Sequence, residues 1–201
     1  MSSPSTDLVA ACRLLAEAGL SPGSSGNVSI RVKDRVYATP SGASLRRVRA
    51  DELSVVGMDG VPISGERVTK ELGMHLAAYA ARPEVRAVVH LHSRAATAVS
   101  CLEIPVGQDP LPAYTPYRIR SLGAVALVPY APPGSAELTA GVAAAVGSSS
   151  VLLLANHGSL VCAPDLTTAV DVSEELEAAA ELTLALRDLP ARLLDRERAW
   201  G

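Results

Sequence analysis

Three histidines carry the chemistry that this sequence can offer, and two of them stand one residue apart. Ala87-Val88-Val89-His90-Leu91-His92-Ser93 reads as a short apolar strand ending in His-x-His. Side chains along a strand alternate between faces, so His90 and His92 point to one side and Leu91 to the other. Two imidazoles one strand step apart can share a divalent metal ion. His157 lies in Leu153-Leu154-Ala155-Asn156-His157-Gly158, again where an apolar strand runs into a turn. Three neutral imidazoles leave a position on zinc for an acidic ligand, water or substrate, as a catalytic site requires. A His-x-His alone fits a hydrogen-bonded surface pair equally well. The third histidine and a glutamate upstream, Glu71, tip the reading towards a metal.

The elements that must bring these residues together follow from pattern. Ser5-Thr6-Asp7 caps an amphipathic helix over Leu8 to Glu17, ended by Gly19. Val28 to Val32 and Arg35 to Ala38 form a hairpin around Lys33-Asp34. It is flanked by Ser24-Ser25-Gly26-Asn27 and Thr39-Pro40-Ser41-Gly42, two loops that read as tight turns or as cradles of backbone N–H groups for an anion. Neither has the spacing of a nucleotide-binding glycine loop. Leu53 to Gly57 is a strand. Thr69 is read as the cap of a helix from Lys70 to about Ala81, which places Glu71 in the first turn. There it serves the helix dipole, or acts as a metal ligand or general base. His75, one turn on, reads as a packing or hydrogen-bonding residue. Lys70 beside Thr69 at a helix start suits a phosphate.

After His92 a short helix, Arg94 to Leu102, leads into a proline-rich loop from Glu103 to Arg118 that holds Tyr114 and Tyr117. Its length marks it as functional rather than as a plain connection. A strand over Ala124 to Tyr130, a helix capped by Ser135, strands over Val151 to Ala155 and Leu160 to Ala163, and a last helix from Pro164-Asp165 to about Leu189 complete the chain. Glu174, Glu175, Glu177 and Glu181 on that helix read as a solvated face. Strands with interspersed helices over 201 residues imply one α/β domain, 1–201.

Composition narrows the class. Apolar residues make up 48% and charged ones 19%, which is globular, and without phenylalanine the core must be built of Ala, Val and Leu. A net charge of -3 excludes a basic nucleic-acid footprint, so an anionic substrate must be held by local groups. Cys12, Cys101 and Cys162 are scattered in apolar surroundings and read as buried free thiols of a cytoplasmic protein. Neither a basic leader nor an apolar run of membrane length is present, so no membrane partner is expected.

Five motifs in order now carry a resemblance. Ser25-Gly26-Asn27, Thr39-Pro40-Ser41-Gly42, Lys70-Glu71 with Met74-His75, Val88-Val89-His90-Leu91-His92-Ser93, and Ala155-Asn156-His157-Gly158 together resemble the class II aldolase/adducin family, from about Ala16 to Leu186. The nearer resemblance within it is to the 3-oxo-tetronate 4-phosphate decarboxylases, through Thr115-Pro116-Tyr117, Val128-Pro129-Tyr130, Pro133-Gly134 and Glu174-Glu175-Leu176-Glu177. One departure is Val68-Thr69, where the family commonly has Pro-Ser.

The resemblance implies a three-layer α-β-α fold around a largely antiparallel sheet, in a homotetramer with interface active sites. It implies Zn2+, or Mn2+ or Co2+, on His90, His92 and His157, with Glu71 as fourth ligand and then as proton-transfer base. It places the substrate phosphate on Gly26, Asn27, Ser41, Gly42, Thr69 and Lys70, and a proton donor at Tyr117, with Tyr114 as the rival. The activity implied is carbon–carbon cleavage of a phosphorylated sugar or sugar-derived keto acid through an ene-diolate that a metal stabilises. Loss of carbon dioxide and retro-aldol release of an aldehyde, as in an L-fuculose-1-phosphate-type aldolase, differ only in the leaving fragment. Two other classes remain: an adducin-like binding module without catalysis, and a cupin. A cupin needs an all-β barrel and a glutamate soon after the pair, and only Glu103, beyond a helix, comes close.

Overall fold

The computed structural model describes residues 3–105 and 107–195. Eight strands form one sheet: β1 (Asn27–Val32), β2 (Arg35–Ala38), β3 (Ser54–Gly57), β4 (Pro62–Ser64), β5 (Ala87–Leu91), β6 (Val125–Val128), β7 (Val151–Leu154) and β8 (Gly158–Ala163). Their order is β4-β3-β2-β1-β5-β8-β7-β6. Every neighbouring pair is antiparallel except β6 and β7. Among the described residues five α-helices cover the sheet: α1 (Pro4–Glu17), α2 (Leu72–Ala81), α3 (Arg94–Ser100), α4 (Ala136–Val146) and α5 (Leu166–Leu186). A sheet between helical layers excludes the cupin barrel.

Alternation along the strands sorts the core into two. Ala87, Val89 and Leu91 of β5 pack with Leu8, Cys12 and Leu15 of α1, Val99 of α3 and Leu176 of α5. Val88 packs on the other face with Met74 and Tyr79 of α2 and Leu138 and Val142 of α4. His90 therefore points to the α2–α4 side, as its period-two position next to Val88 requires. β5 lies in the middle of the sheet, between β1 and β8, and all five of its residues are buried.

Several boundaries differ from those expected, each for a local reason. Ser3 rather than Ser5 caps α1, its hydroxyl accepting from Thr6 N–H at 3.2 Å with Pro4 as the first helical residue. Thr69 does not cap α2. The helix begins at Leu72, and Glu71, with φ −97° and ψ 12°, stands at the cap position without a capping hydrogen bond. Its carboxylate is turned to the histidines instead. The helix after His92 ends at Ser100, the strand at 124–130 is confined to Val125–Val128, and α5 ends at Leu186. β4 escapes the pattern because it begins with proline and all three of its residues are exposed on the sheet edge.

The proline-rich loop ends in a π-helical turn, Arg118–Leu122, that no periodicity announces. It is organised by Arg118, whose guanidinium is buried and donates to the Leu111 and Gly123 carbonyls and to Asp109. Cys101 is exposed, because it follows the last turn of α3, whereas Cys12 and Cys162 are buried as expected. Among the described residues no helix is long and apolar enough to cross a membrane.

Candidate metal centre and the cavity beside it

The four predicted ligands come from three separate pieces of chain and arrive at one point. His90 is the fourth residue of β5 and His92 follows its end. His157 sits in the turn between β7 and β8, and Glu71 just before α2. One donor atom from each lies within 4.8 Å of the others. The three rings form a nearly equilateral triangle, with centroids 4.8, 4.9 and 4.9 Å apart.

The hydrogen bonds identify which nitrogens face inward. His90 Nδ1 is 2.8 Å from the Ser159 carbonyl, an acceptor only, so Nδ1 carries the proton. The lone pair of neutral His90 is then on Nε2, which is 2.9 Å from His92 Nε2 and 3.3 Å from Glu71 Oε2. His157 Nε2 is 3.2 Å from Glu71 Oε1, yet Glu71 Oε1 and both His157 nitrogens are buried without a hydrogen-bond partner. Orphaned buried donor atoms carry a desolvation cost that a shared cation removes. A histidine whose outer N–H is fixed on a backbone carbonyl has the arrangement usual for a metal ligand. Three imidazoles and one carboxylate fit a borderline divalent ion such as zinc.

The electrostatics agree with that donor set. Burial by itself would raise the Glu71 carboxyl, but the His157 and His90 side chains beside it and the Asn27 amide outweigh burial and hold it well below the usual carboxylate range. His92 is lowered to about 4, first by burial and then by its two histidine neighbours. It is neutral at physiological pH, the form in which an imidazole can bind a metal.

Local backbone devices set the turn that carries His157. Asn156 has φ +54°, a left-handed conformation that Asn tolerates better than most residues. Its N–H donates to the Ser100 carbonyl at the end of α3 at 3.0 Å, and His157 N–H closes the turn on the Leu154 carbonyl. Gly158 follows because a Cβ there would lie 2.3 Å from the Leu91 carbonyl oxygen and 3.0 Å from His92 Cδ2. The same holds at Gly26, where a Cβ would meet the His90 carbonyl oxygen at 2.7 Å.

A cavity of about 340 Å³ opens beside this cluster. Gly26, Asn27, Ser41, Gly42, Thr69, Lys70, Glu71, His92 and His157 all line it, so the residues expected to hold phosphate share one space with three of the four expected metal ligands, while His90 is buried behind its wall. The two loops meet through a bridge between Pro40 and Val68 and a hydrogen bond from Ser41 N–H to the Arg67 carbonyl. Ser24, from the first of these loops, and Pro133 also line the cavity. Tyr117 is 63% exposed and is not among the lining residues.

Asn27 is committed inward rather than towards the cavity. Its amide donates to Glu71 Oε2 at 2.9 Å, and its carbonyl oxygen is 2.6 Å from His75 Nε2. His75 Nε2 must therefore carry the proton. His75 Nδ1 then accepts from Ser29 Oγ, which in turn accepts from the Tyr79 hydroxyl, both at 2.7 Å. Donors run one way along Tyr79, Ser29, His75, Asn27 and Glu71. His75 thus has the supporting role expected of it.

Glu177 overturns the reading of a wholly solvated glutamate face on α5. It is buried, and it accepts from Ser93 Oγ at 2.6 Å, Ala95 N–H at 2.7 Å and Ala96 N–H at 2.9 Å. The partners lie more than eighty residues away, so no local pattern could have shown it.

Comparison with known proteins places this geometry. The model of the Class II Aldolase and Adducin N-terminal domain matches residues 6–184, and the chain belongs to that family. The chain is 39% identical to a 3-oxo-tetronate 4-phosphate decarboxylase of Haemophilus influenzae, over 89% of this chain and 85% of the relative. It is 35% identical to an L-fuculose phosphate aldolase of Methanococcus maripaludis, over 92% of this chain and 98% of the relative. The solved structure of YgbL from Klebsiella pneumoniae superposes with a TM-score of 0.93 at 35% identity, covering 97% of this chain and 95% of that one.

Proposed function

We propose that this protein is a lyase that breaks a carbon–carbon bond in a phosphorylated sugar-derived keto acid, as a 3-oxo-tetronate 4-phosphate decarboxylase does. The observation that carries this reading is the shared cavity: Glu71, His92 and His157 of the three-imidazole, one-carboxylate cluster line it together with Gly26, Ser41, Gly42 and Lys70. The Haemophilus influenzae decarboxylase, at 39% identity, supports this choice of leaving fragment over the Methanococcus maripaludis aldolase, at 35%.

His90, His92, His157 and Glu71 would hold the ion, with zinc the best fit to three imidazoles, and Mn2+ or Co2+ as alternatives. The ion supplies Lewis-acid stabilisation of the negative charge that a breaking carbon–carbon bond leaves beside a carbonyl. The remaining chemistry belongs to the chain. Lys70, with the Gly26 and Ser41-Gly42 loops, binds the phosphate, and Thr69 and Asn27 shape that wall. Phosphate binding spends remote contact energy on orienting the reacting carbons. Glu71 Oε2 is held by Asn27, so Oε1 is the oxygen left to move a proton at the reacting carbon. Tyr117, on the exposed rim of the proline-rich loop, is assigned as the proton donor in a homotetramer whose subunits meet at the active site. The protein works in the cytoplasm.

The test is to follow products from the zinc-loaded protein. With a phosphorylated 3-oxo-tetronate, release of carbon dioxide that a chelator suppresses supports the reading. Aldehyde and dihydroxyacetone phosphate from L-fuculose 1-phosphate, without decarboxylation, would give the assignment to the aldolase instead. Stereospecific loss of one hydroxymethyl proton of dihydroxyacetone phosphate in heavy water would show proton transfer at the site independently of the leaving group. A native mass near four times 20.8 kDa checks the tetramer.

A further inference from the structure

We infer that Glu177 is a positioning residue for the metal centre, acting through α3 on His92 and His157 together. The inference rests on the metal reading above and adds a residue that touches neither ion nor substrate.

The contacts make α3 a strut between two ligands. His92 is joined to its N-terminal cap, Ser93, by one peptide bond. At the other end the Ser100 carbonyl accepts the N–H of Asn156, the residue before His157. The spacing of the two imidazoles therefore depends on where this seven-residue helix sits. A helix this short is not held by its own hydrogen bonds.

Glu177 holds it instead. An N-cap serine ordinarily accepts from the third N–H of its helix. Ser93 makes no such bond; its hydroxyl donates to Glu177 instead. The carboxylate takes over the capping, with Oε1 on Ala95 N–H and Oε2 on both Ala96 N–H and Ser93 Oγ. Three hydrogen bonds to one buried charge are strong and directional, and negative charge suits a helix N-terminus. The long helix α5 is thereby bolted to the start of α3, one residue after His92.

The test measures metal binding rather than turnover. Metal-stripped full-length protein is titrated with Co2+ against a chromophoric chelator, and the visible spectrum of the bound ion is recorded. Wild type is compared with Glu177→Gln, Ser93→Ala and the remote core variant Leu15→Ala. Glu177→Gln is expected to bind Co2+ about 10-fold or more weakly, with a shifted spectrum, as changes behind metal ligands usually do. Leu15→Ala is expected to lose thermal stability but bind as wild type. Glu177→Asp should recover part of the affinity. A Glu177→Gln protein that melts lower yet binds Co2+ with wild-type affinity and spectrum overturns the inference and leaves a plain helix cap. Should Glu177→Gln fail to fold, Ser93→Ala decides: weakened binding supports the strut, and wild-type binding overturns it. Wild-type protein that binds no Co2+ would instead overturn the metal reading itself, and this inference with it.

Discussion

His75 makes the pH behaviour of this protein calculable in sign. Burial is the first cause that lowers it, to about 3 from 6.5, and the charge of His90 adds to that. Between those values the unfolded chain binds a proton that the folded chain does not, so stability rises with pH across the window and is lost on acidification. The slope from this group reaches about 1.4 kcal/mol per pH unit. Denaturant unfolding of the metal-stripped protein, repeated from neutral pH downwards, should show it, and His75→Gln should reduce it to the part that His92 adds with the same sign; an unchanged slope would remove His75 as a source. Ligand substitutions separate binding from chemistry. His92→Ala should abolish tight metal binding, measured by metal content after gel filtration, and wild-type occupancy there would sink the ligand assignment. Glu71→Gln should keep the metal more weakly but lose proton exchange into dihydroxyacetone phosphate.

At the level of elements, the β7–β8 turn has almost no freedom. Gly158→Ala would drive a methyl group towards the Leu91 carbonyl and the His92 ring, so it should cost about 1–3 kcal/mol in denaturant unfolding and weaken metal binding too. Asp165 caps α5 through Thr168 N–H at 2.7 Å, and Asp165→Ala should cost about 1 kcal/mol without touching metal affinity. These elements also show what the sequence makes legible. Period two along β5 places His90 and His92 on one side before any coordinate is known, whereas Gly158, which reads as part of the turn, opens β8. Ser135 caps α4 as its type suggests. What stays hidden are roles assigned from far away. Thr69 looks like a cap and Glu71 like a first-turn carboxylate, but the pull of two histidines leaves Glu71 just outside the helix. Glu177 sits among glutamates of the same helix and differs only in what lies opposite. β4 carries no apolar alternation, and all three of its residues are exposed.

For the whole molecule, a metal held by residues from 71 to 157 should act as a cross-link. Stripping it should lower the melting temperature, and adding Zn2+ back should raise it, by about 2.7 kcal/mol of stability at a hundred times the dissociation constant. Scanning calorimetry with and without chelator tests this; an unshifted transition would mean that the ion is not bound in the native state. The sheet order has a further consequence, for the protein as it leaves the ribosome. β5 pairs with β1 on one side, which is made long before it, and with β8 on the other, which is made more than sixty residues after it. Synthesis at roughly 5–20 residues per second leaves that second edge bare for several seconds, with buried valines and two histidines beside it. The nascent chain is thus briefly a half-sheet with an unpaired apolar margin, and it cannot assemble the complete set of metal ligands until His157 has emerged. Chaperone engagement in that interval, and metal capture only after His157 has emerged, are the expected biosynthetic counterpart of placing β5 at the centre.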